Sequence, residues 1–127
     1  GEHSAHYYFR DFWGADTGML AAFHVLAAAG HSDRPLSELV ARFDRYAASG
    51  EINSLVSDQQ MIMDRVAAAF AGRGEQDRLD GLTVSGPDWW VNVRPSNTEP
   101  LLRLNVEAAN RETMVVLRDE TLGLIRA

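Results

Sequence analysis

The amino-acid sequence predicts an α+β fold, in which a mainly antiparallel sheet carries helices on one face and follows the helical tail of an α/β domain. Two patterns predict it. Residues 101–108 alternate apolar with polar side chains, as a strand with one buried face does. Residues 57–70 and 110–124 place apolar side chains at helical spacing, which is typical of helices that cover one side of a sheet.

The first predicted helix covers residues 19–29, which are almost all apolar or small and are interrupted only by His24. A helix that is apolar all round is typical of a protein interior, so we predict that this helix is buried. Its N-cap is predicted at Asp16 or Thr17, because either side chain can accept a hydrogen bond from the first turn. His24 is then a core histidine rather than a ligand.

Pro35 opens a second predicted helix, because proline is favoured in the first turn, where its missing N–H would have no partner. Small residues at 48–50 interrupt the helical pattern, and a strand-rich pattern follows. We therefore predict a domain boundary there, between residues 1–48 and residues 49–127. The apolar positions of the second helix are Leu36, Leu39, Val40, Phe43 and Ala47.

The second predicted domain has the order strand, helix, three strands, helix. Ser57 and Gln60 form a capping-box pattern at the start of its first helix. Three strands are predicted at residues 82–85, 89–94 and 101–108, and the last two have alternating side chains. The last helix begins at an Asn110 cap and directs Met114, Leu117 and Leu124 towards the sheet.

The charge and composition argue against several classes of partner. The net charge is −6, and all twelve basic residues are arginines, without the dense basic clusters that nucleic acids and anionic membranes attract. There is no cysteine, so neither a disulfide framework nor a thiolate metal site is expected. No signal-peptide pattern or apolar run long enough to span a bilayer occurs, and we expect a cytoplasmic protein with no membrane partner.

The loop between the two clearest strands, residues 94–100, has the composition of an anion site. Ser96, Asn97 and Thr98 are consecutive hydrogen-bond donors, and prolines at both ends stiffen the loop. Arg94 offers a planar guanidinium at its base, and Arg103 on the next strand adds a second positive charge. These groups suit a dianionic phosphate. An equally open alternative is a plain turn whose polar side chains bond to their own backbone.

Glu99 places a negative charge in the same loop. We expect this carboxylate to orient Arg94 or Arg103, or to accept a hydrogen bond from a sugar hydroxyl.

The run from Arg94 to Arg103, Arg-Pro-Ser-Asn-Thr-Glu-Pro-Leu-Leu-Arg, resembles the phosphate-binding loop in the last domain of the α-D-phosphohexomutase superfamily. In that family the last domain has a TBP-like fold, and its loop holds the non-reacting phosphate of a bound sugar phosphate. The resemblance implies phosphate contacts for Arg94, Ser96, Asn97, Thr98 and Arg103.

The first six residues, Gly-Glu-His-Ser-Ala-His, resemble the sugar-recognition loop of the same family, in which glycine is commoner at the position of Ala5. The resemblance implies that Glu2 and Ser4 bind sugar hydroxyls and that His6 contacts the substrate or assists proton transfer. His3 and His6 lack a clear third ligand, so no metal site is predicted in this chain.

Residues 7–11, 16–18 and 35–39 also resemble the phosphomannomutase/phosphoglucomutase branch, whose enzymes have four domains. The chain then corresponds to the end of domain 3 and the whole of domain 4. The resemblance implies that the parent enzyme interconverts hexose 1-phosphate and hexose 6-phosphate of mannose or glucose. It does so through a phosphoserine and a hexose 1,6-bisphosphate, with Mg²⁺.

No stretch of this chain resembles the serine loop or the magnesium loop of those enzymes. We therefore expect no catalytic residue here, save a possible role for His6, and no activity of the chain alone without the missing domains 1–3. The alternatives are a fragment of a phosphoglucosamine mutase, a stand-alone phosphate-binding module, or a dimerisation domain that uses Trp89 and Trp90.

Overall fold

The structure, a computed structural model, describes residues 6–127. The chain divides into two compact units, one ending at Arg45 and one comprising Tyr46–Ala127. The boundary predicted after residue 48 falls close to this division. No helix in the described part of the chain is long and apolar enough to cross a membrane.

The first unit begins with a small antiparallel hairpin, in which β1 (Tyr8–Phe9) pairs with β2 (Ala15–Asp16). A short 3-10 helix at Arg10–Phe12 lies between the two strands. The chain then reverses through two residues with positive φ, Trp13 at 54° and Gly14 at 64°. This hairpin was not predicted from the sequence, because strands of two residues leave no alternation to detect.

Two helices follow, α1 (Gly18–Gly30) and α2 (Leu36–Ala41). Thr17 caps α1, since its Oγ1 accepts a hydrogen bond from the Leu20 backbone N–H at 3.3 Å. The predicted second helix was too long. It ends at Ala41, Phe43 lies beyond it, and Ala47 belongs to a strand, because pairing within the sheet overrides the helical spacing of that residue.

The prediction that the first helix is buried was wrong for the described part of the chain. No residue of α1 is buried, and Met19, Phe23 and Leu26 are 69%, 59% and 65% exposed. Besides α1, the described elements of this unit are a hairpin of two-residue strands, a 3-10 helix and the short helix α2, which are too small to cover α1 on all sides. Apolar composition predicts that a helix has a partner, but it does not identify the partner.

The second unit contains a six-stranded sheet whose pairs are all antiparallel, in agreement with the predicted fold class. The central strand pair is β7 and β8, and two short strands, β3 and β4, both pair with β8 at one edge. The strands are β3 (Ala47–Ala48), β4 (Ile52–Leu55), β5 (Glu75–Asp77), β6 (Leu82–Ser85), β7 (Trp89–Pro95) and β8 (Leu101–Ala108).

The alternation predicted for β7 and β8 is confirmed on the covered face of the sheet, where the apolar side chains are buried. The opposite face of β8, predicted to be mostly wet, is less exposed than expected. Leu101 and Asn105 on that face are buried as well, and the Asn105 Oδ1 has no hydrogen-bond partner in the described part of the chain.

Two helices, α3 (Gln59–Ala69) and α4 (Arg111–Arg126), pack on the same face of this sheet. The cap of α4 is the predicted Asn110, whose Oδ1 accepts from the Thr113 backbone N–H at 2.9 Å. The predicted cap of α3 was wrong by one residue. Asp58 accepts from the Met61 N–H at 2.9 Å, and a carboxylate is favoured there by the positive end of the helix dipole.

Phe70, at the end of α3, is the largest fully buried side chain of this core. Its ring lies 6.1 Å from that of Trp89, centroid to centroid, and the Arg73 guanidinium lies 4.3 Å from its centroid on the outer side. The core residues share the space between the sheet and the two helices; they include Ile62, Met63, Val66, Leu82, Val84, Val91, Val93, Leu102, Leu104, Val106, Met114, Leu117 and Ile125.

Replacing Phe70 with alanine should destabilise the second unit by about 3–5 kcal/mol, because it leaves a cavity in a closed core. The measurement is urea unfolding followed by the fluorescence of Trp89 and Trp90 in a Trp13→Phe background. Phe43→Ala is the matched control, since Phe43 is 76% exposed, and it should change this transition by less than about 0.5 kcal/mol. Similar losses for both variants would contradict the assigned core.

Candidate functional site

The strand pair β7 and β8 sets the geometry of the predicted phosphate loop. Arg94 near the end of β7 lies directly opposite Arg103 on β8, and the loop joins the strands beyond them. The structure places all five predicted phosphate-binding side chains around one cavity of about 300 Å³. Its lining is Leu79, Asp80, Gly81, Arg94, Pro95, Ser96, Asn97, Thr98 and Arg103.

Ser96 organises the loop from within. Its Oγ accepts long hydrogen bonds from the backbone N–H groups of Thr98 and Glu99, at 3.4 and 3.3 Å. Its own N–H donates to the Leu101 carbonyl at 3.0 Å, and only 8% of the residue is exposed. The alternative of a self-bonded turn therefore describes part of what Ser96 does. The side chains of Asn97 and Thr98 line the cavity beside it.

Gln59, in the first turn of α3, supports the loop from behind. Its Nε2 donates to the Leu101 carbonyl at 2.9 Å and lies 3.3 Å and 3.4 Å from the carbonyls of Glu99 and Ser96. This role of Gln59 was not predicted from the sequence, because a glutamine in a first helical turn carries no sign of a partner about forty residues away. Two loop carbonyls and that of the first residue of β8 thus converge on one amide, which holds the loop against the helix.

Two arginines that face each other across a strand pair repel unless an anion lies between them. Here the anion is the Glu51 carboxylate. Its Oε2 accepts from Arg94 Nη2 at 3.1 Å, and its Oε1 lies 3.7 Å from Arg103 Nη1. The expectation that Glu99 orients these arginines was wrong, since the carboxylates that pair with them are those of Glu51 and, at longer range, Asp80.

The Nε of Arg103 is buried and has no hydrogen-bond partner among residues 6–127. The guanidinium as a whole is partly exposed and lines the cavity. The cavity therefore has two guanidinium groups at its base and short polar side chains along one wall. Guanidinium groups and short polar donors placed in this way suit a phosphate group.

The other wall of the cavity is the turn between β5 and β6, which was not among the predicted site residues. Gly81 has a φ of 70°, and a Cβ there would meet the Val93 carbonyl and approach the Arg94 Cα to 2.6 Å. Only glycine fits so close to the base of Arg94. The Asp80-Gly81 pair is a turn signature that is recognisable in the sequence, but its contact with Arg94 is visible only in the structure.

The predicted sugar contacts Glu2 and Ser4 lie outside the described residues, so the structure gives no placement for them. His6 is described, in the first unit. Its Nδ1 is 2.5 Å from Asp16 Oδ2, and Asp16 Oδ1 accepts from the Tyr7 N–H at 2.8 Å. Hydrogen bonding by His6, and then by Tyr7, lowers the pKa of Asp16 below its ordinary value. Asp16 therefore fastens the hairpin, and Thr17 is the helix cap.

Among residues 6–127 no group of three or more histidine, cysteine, aspartate or glutamate side chains lies close enough together to hold a metal ion.

Trp89 packs against the core of the second unit, and Trp90 is partly exposed. Both line a second cavity of about 230 Å³, at the turn between β6 and β7, with Tyr46, Asp88 and Glu107.

Residues 51–124 match the family model described as "Phosphoglucomutase/phosphomannomutase, C-terminal domain". The chain belongs to this family. Residues 1–46 match the model described as "Phosphoglucomutase/phosphomannomutase, alpha/beta/alpha domain III". The resemblance drawn from the two loops is thereby confirmed at the level of the family.

Similar proteins include a phosphomannomutase of Methanocaldococcus jannaschii, 41% identical over 125 residues that make up 98% of this chain and 28% of that protein. A phosphomannomutase of Salmonella typhimurium is 44% identical over 96% of this chain and 27% of its own length. The chain thus spans little more than a quarter of these relatives.

A solved structure of a phosphoglucomutase/phosphomannomutase family protein from Burkholderia thailandensis matches 95% of this chain and 26% of its own. The TM-score is 0.74 at 25% sequence identity. This likeness agrees with the α+β architecture of the chain.

Alanine at position 81 should destabilise the second unit by about 3 kcal/mol or more, since it adds a clash with two backbone groups to an unfavourable φ. Gly50→Ala is the matched control. Gly50 has nearly the same φ, 67°, but open space around it, so only the conformational part of about 1–2 kcal/mol should remain. Urea unfolding measures both, and equal losses would contradict the tight contact at Gly81.

The pKa of the Asp16 carboxyl should lie below 3.8, its ordinary value, and protonation of this group should loosen the hairpin. Because the folded pKa is lowered, the stabilisation is present above pH 3.8 and is lost as the pH falls through the lower folded value. NMR shifts of the Asp16 carboxyl carbon and the Tyr7 amide proton measure it. The amide titration should vanish in Asp16→Asn, and a midpoint at or above 3.8 would argue against the bonding described.

Proposed function

We propose that the chain is the C-terminal portion of a phosphomannomutase/phosphoglucomutase and that its second unit binds the non-reacting phosphate of a hexose phosphate. The observation that supports this most is the cavity between β7, β8 and the turn after β5. It gathers two guanidinium groups and three short polar side chains around a space of about 300 Å³. A phosphate monoester fits both the charge and the size of such a cavity.

In this proposal Arg94 and Arg103 carry the positive charge that the phosphate needs, and their planar guanidinium groups can each donate two parallel hydrogen bonds. Asn97 and Thr98 supply further donors from the rim. The loop is already fastened by Gln59 and by the bonds of Ser96. Binding therefore requires little new ordering, which favours affinity.

Sugar recognition is proposed for Glu2 and Ser4, with a substrate contact or proton transfer for His6. A carboxylate can accept hydrogen bonds from two neighbouring hydroxyls, and a serine hydroxyl can both donate and accept. The proposal covers mannose and glucose phosphates alike, since these sugars differ only in the orientation of the C2 hydroxyl. The corresponding glucosamine phosphate is the alternative substrate.

The phosphate transfer is proposed to occur in the whole enzyme, with the phosphoserine, the Mg²⁺ and the hexose 1,6-bisphosphate held by domains that this chain would join. Apart from the role proposed for His6, no step of that transfer is assigned to the described residues, among which no group of three or more histidine, cysteine, aspartate or glutamate side chains could hold a metal ion. The second unit then acts as a lid that closes over the phosphate. The location proposed for the enzyme is cytoplasmic, and the purified chain should show no mutase turnover.

Removing Arg94 should weaken binding of mannose 1-phosphate by roughly 10- to 150-fold, the usual effect of losing a hydrogen bond to a charged group. NMR amide shifts of the 127-residue chain, followed during titration, give the dissociation constant. Arg118→Ala is the matched control, because Arg118 lies on α4 and pairs with Asp119 at 2.7 Å. It should leave binding unchanged.

Glucose 1-phosphate and inorganic phosphate serve as comparison ligands in the same titration. Equal affinity for inorganic phosphate and the hexose phosphates would favour a general anion-binding module. No shift at Ser96 to Thr98 with any of the three ligands would overturn the proposed site.

A further inference from the structure

One carboxylate, that of Asp80, lines the cavity of the proposed phosphate site, and phosphate binding alone does not explain it. Asp80 forms part of the lining, whereas Glu51, which pairs more closely with the same arginine, does not. Asp80 Oδ2 lies 3.8 Å from Arg94 Nη1, which is beyond hydrogen-bonding distance, and the Asp80 side chain is 74% exposed. Its oxygens are therefore not committed to Arg94.

The position of Asp80 is fixed by its backbone. Asn92 Nδ2 donates to the Asp80 carbonyl at 2.9 Å and lies at the same distance from Thr83 Oγ1. The next residue, Gly81, packs so closely against Arg94 that no Cβ fits there. On the other side, the Leu79 N–H donates to Asp77 Oδ1 at 2.9 Å. The turn is thus held at three points, and the carboxylate is carried to the rim of the cavity by a rigid support.

A carboxylate on a fixed turn beside an anion site has two effects of opposite sign. It repels a bare phosphate, because two negative charges then share one arginine. It also offers acceptor oxygens to a neutral donor that arrives together with the phosphate. A hydroxyl near the phosphorylated carbon of a sugar is such a donor. Hydroxyl groups on the ligand therefore offset the repulsion, and a ligand without them experiences the repulsion alone.

We infer that Asp80 is a specificity-determining residue, which makes the cavity prefer phosphate esters of polyhydroxy compounds over phosphate esters without hydroxyls. The inference rests on the proposed phosphate site. It concerns the described turn at residues 79–81 and requires no contact from the amino-terminal residues.

The test compares mannose 1-phosphate with ethyl phosphate at about pH 8, where both monoesters are dianions. The two ligands share the charge and differ in the hydroxyls. Dissociation constants are measured by NMR titration of the 127-residue chain and of Asp80→Ala, Asp80→Asn and Asp88→Ala. Asp88→Ala removes an equal charge at the turn between β6 and β7, where Asp88 lines the other cavity, and controls for net charge.

The wild type should bind mannose 1-phosphate more tightly than ethyl phosphate. In Asp80→Ala, ethyl phosphate should bind several-fold more tightly while mannose 1-phosphate does not, so that the ratio of the two constants falls by about tenfold. Asp80→Asn loses the charge but keeps an acceptor, so both ligands should bind more tightly and most of the ratio should remain. Asp88→Ala should behave as the wild type.

An unchanged ratio in Asp80→Ala, with wild-type binding that Arg94→Ala weakens as predicted, would overturn the inference and leave the proposed function standing. A wild-type chain that binds neither ligand would overturn both.

Discussion

The register of β7 against β8 is the constraint on which the proposed site depends. It places Arg94 opposite Arg103, so that two like charges meet at the base of one cavity. A slip of one residue would send one arginine into the core and an apolar side chain out to the open face. The register is secured by the buried side chains on the other face, so the hydrophobic core and the charge arrangement are two results of the same pairing.

The cavity is held by residues that do not themselves carry its charge. Gln59 fastens the loop to α3, Asn92 fastens the turn after β5, and Glu51 reduces the repulsion between the arginines. Gln59 and Asn92 bind backbone carbonyls, and Glu51 pairs with the arginine side chains. All three therefore leave the cavity open. A site organised in this way before a ligand arrives loses less entropy when one binds.

The sequence was most informative where local chemistry decides the structure. The alternation of β8 and the Asn110 cap follow from neighbouring residues, and both were predicted. The loop at residues 94–100 was recognisable because its prolines and consecutive donors form one short run. Contacts between distant segments were not predictable in this way. Glu99 is the carboxylate of the loop itself, yet Glu51 pairs with the arginines, since a hairpin and an edge strand bring it there. The wrong prediction that α1 is buried has a similar origin, because the composition of a helix does not identify its partner.

The pairing of β3 and β4 with the same strand decides where Glu51 can act. Ala48 lies opposite Glu107, and Ile52 lies opposite Leu104, so the edge advances four residues while β8 advances three. The extra residue forms a β-bulge. Ser49 bonds to β8 at this point, since its Oγ accepts a hydrogen bond from the Val106 N–H at 2.9 Å. Without it, the side chain at position 51 would share the face of Leu104 and point into the core. One inserted residue therefore converts a carboxylate that the fold could not bury into the counter-charge of an arginine pair.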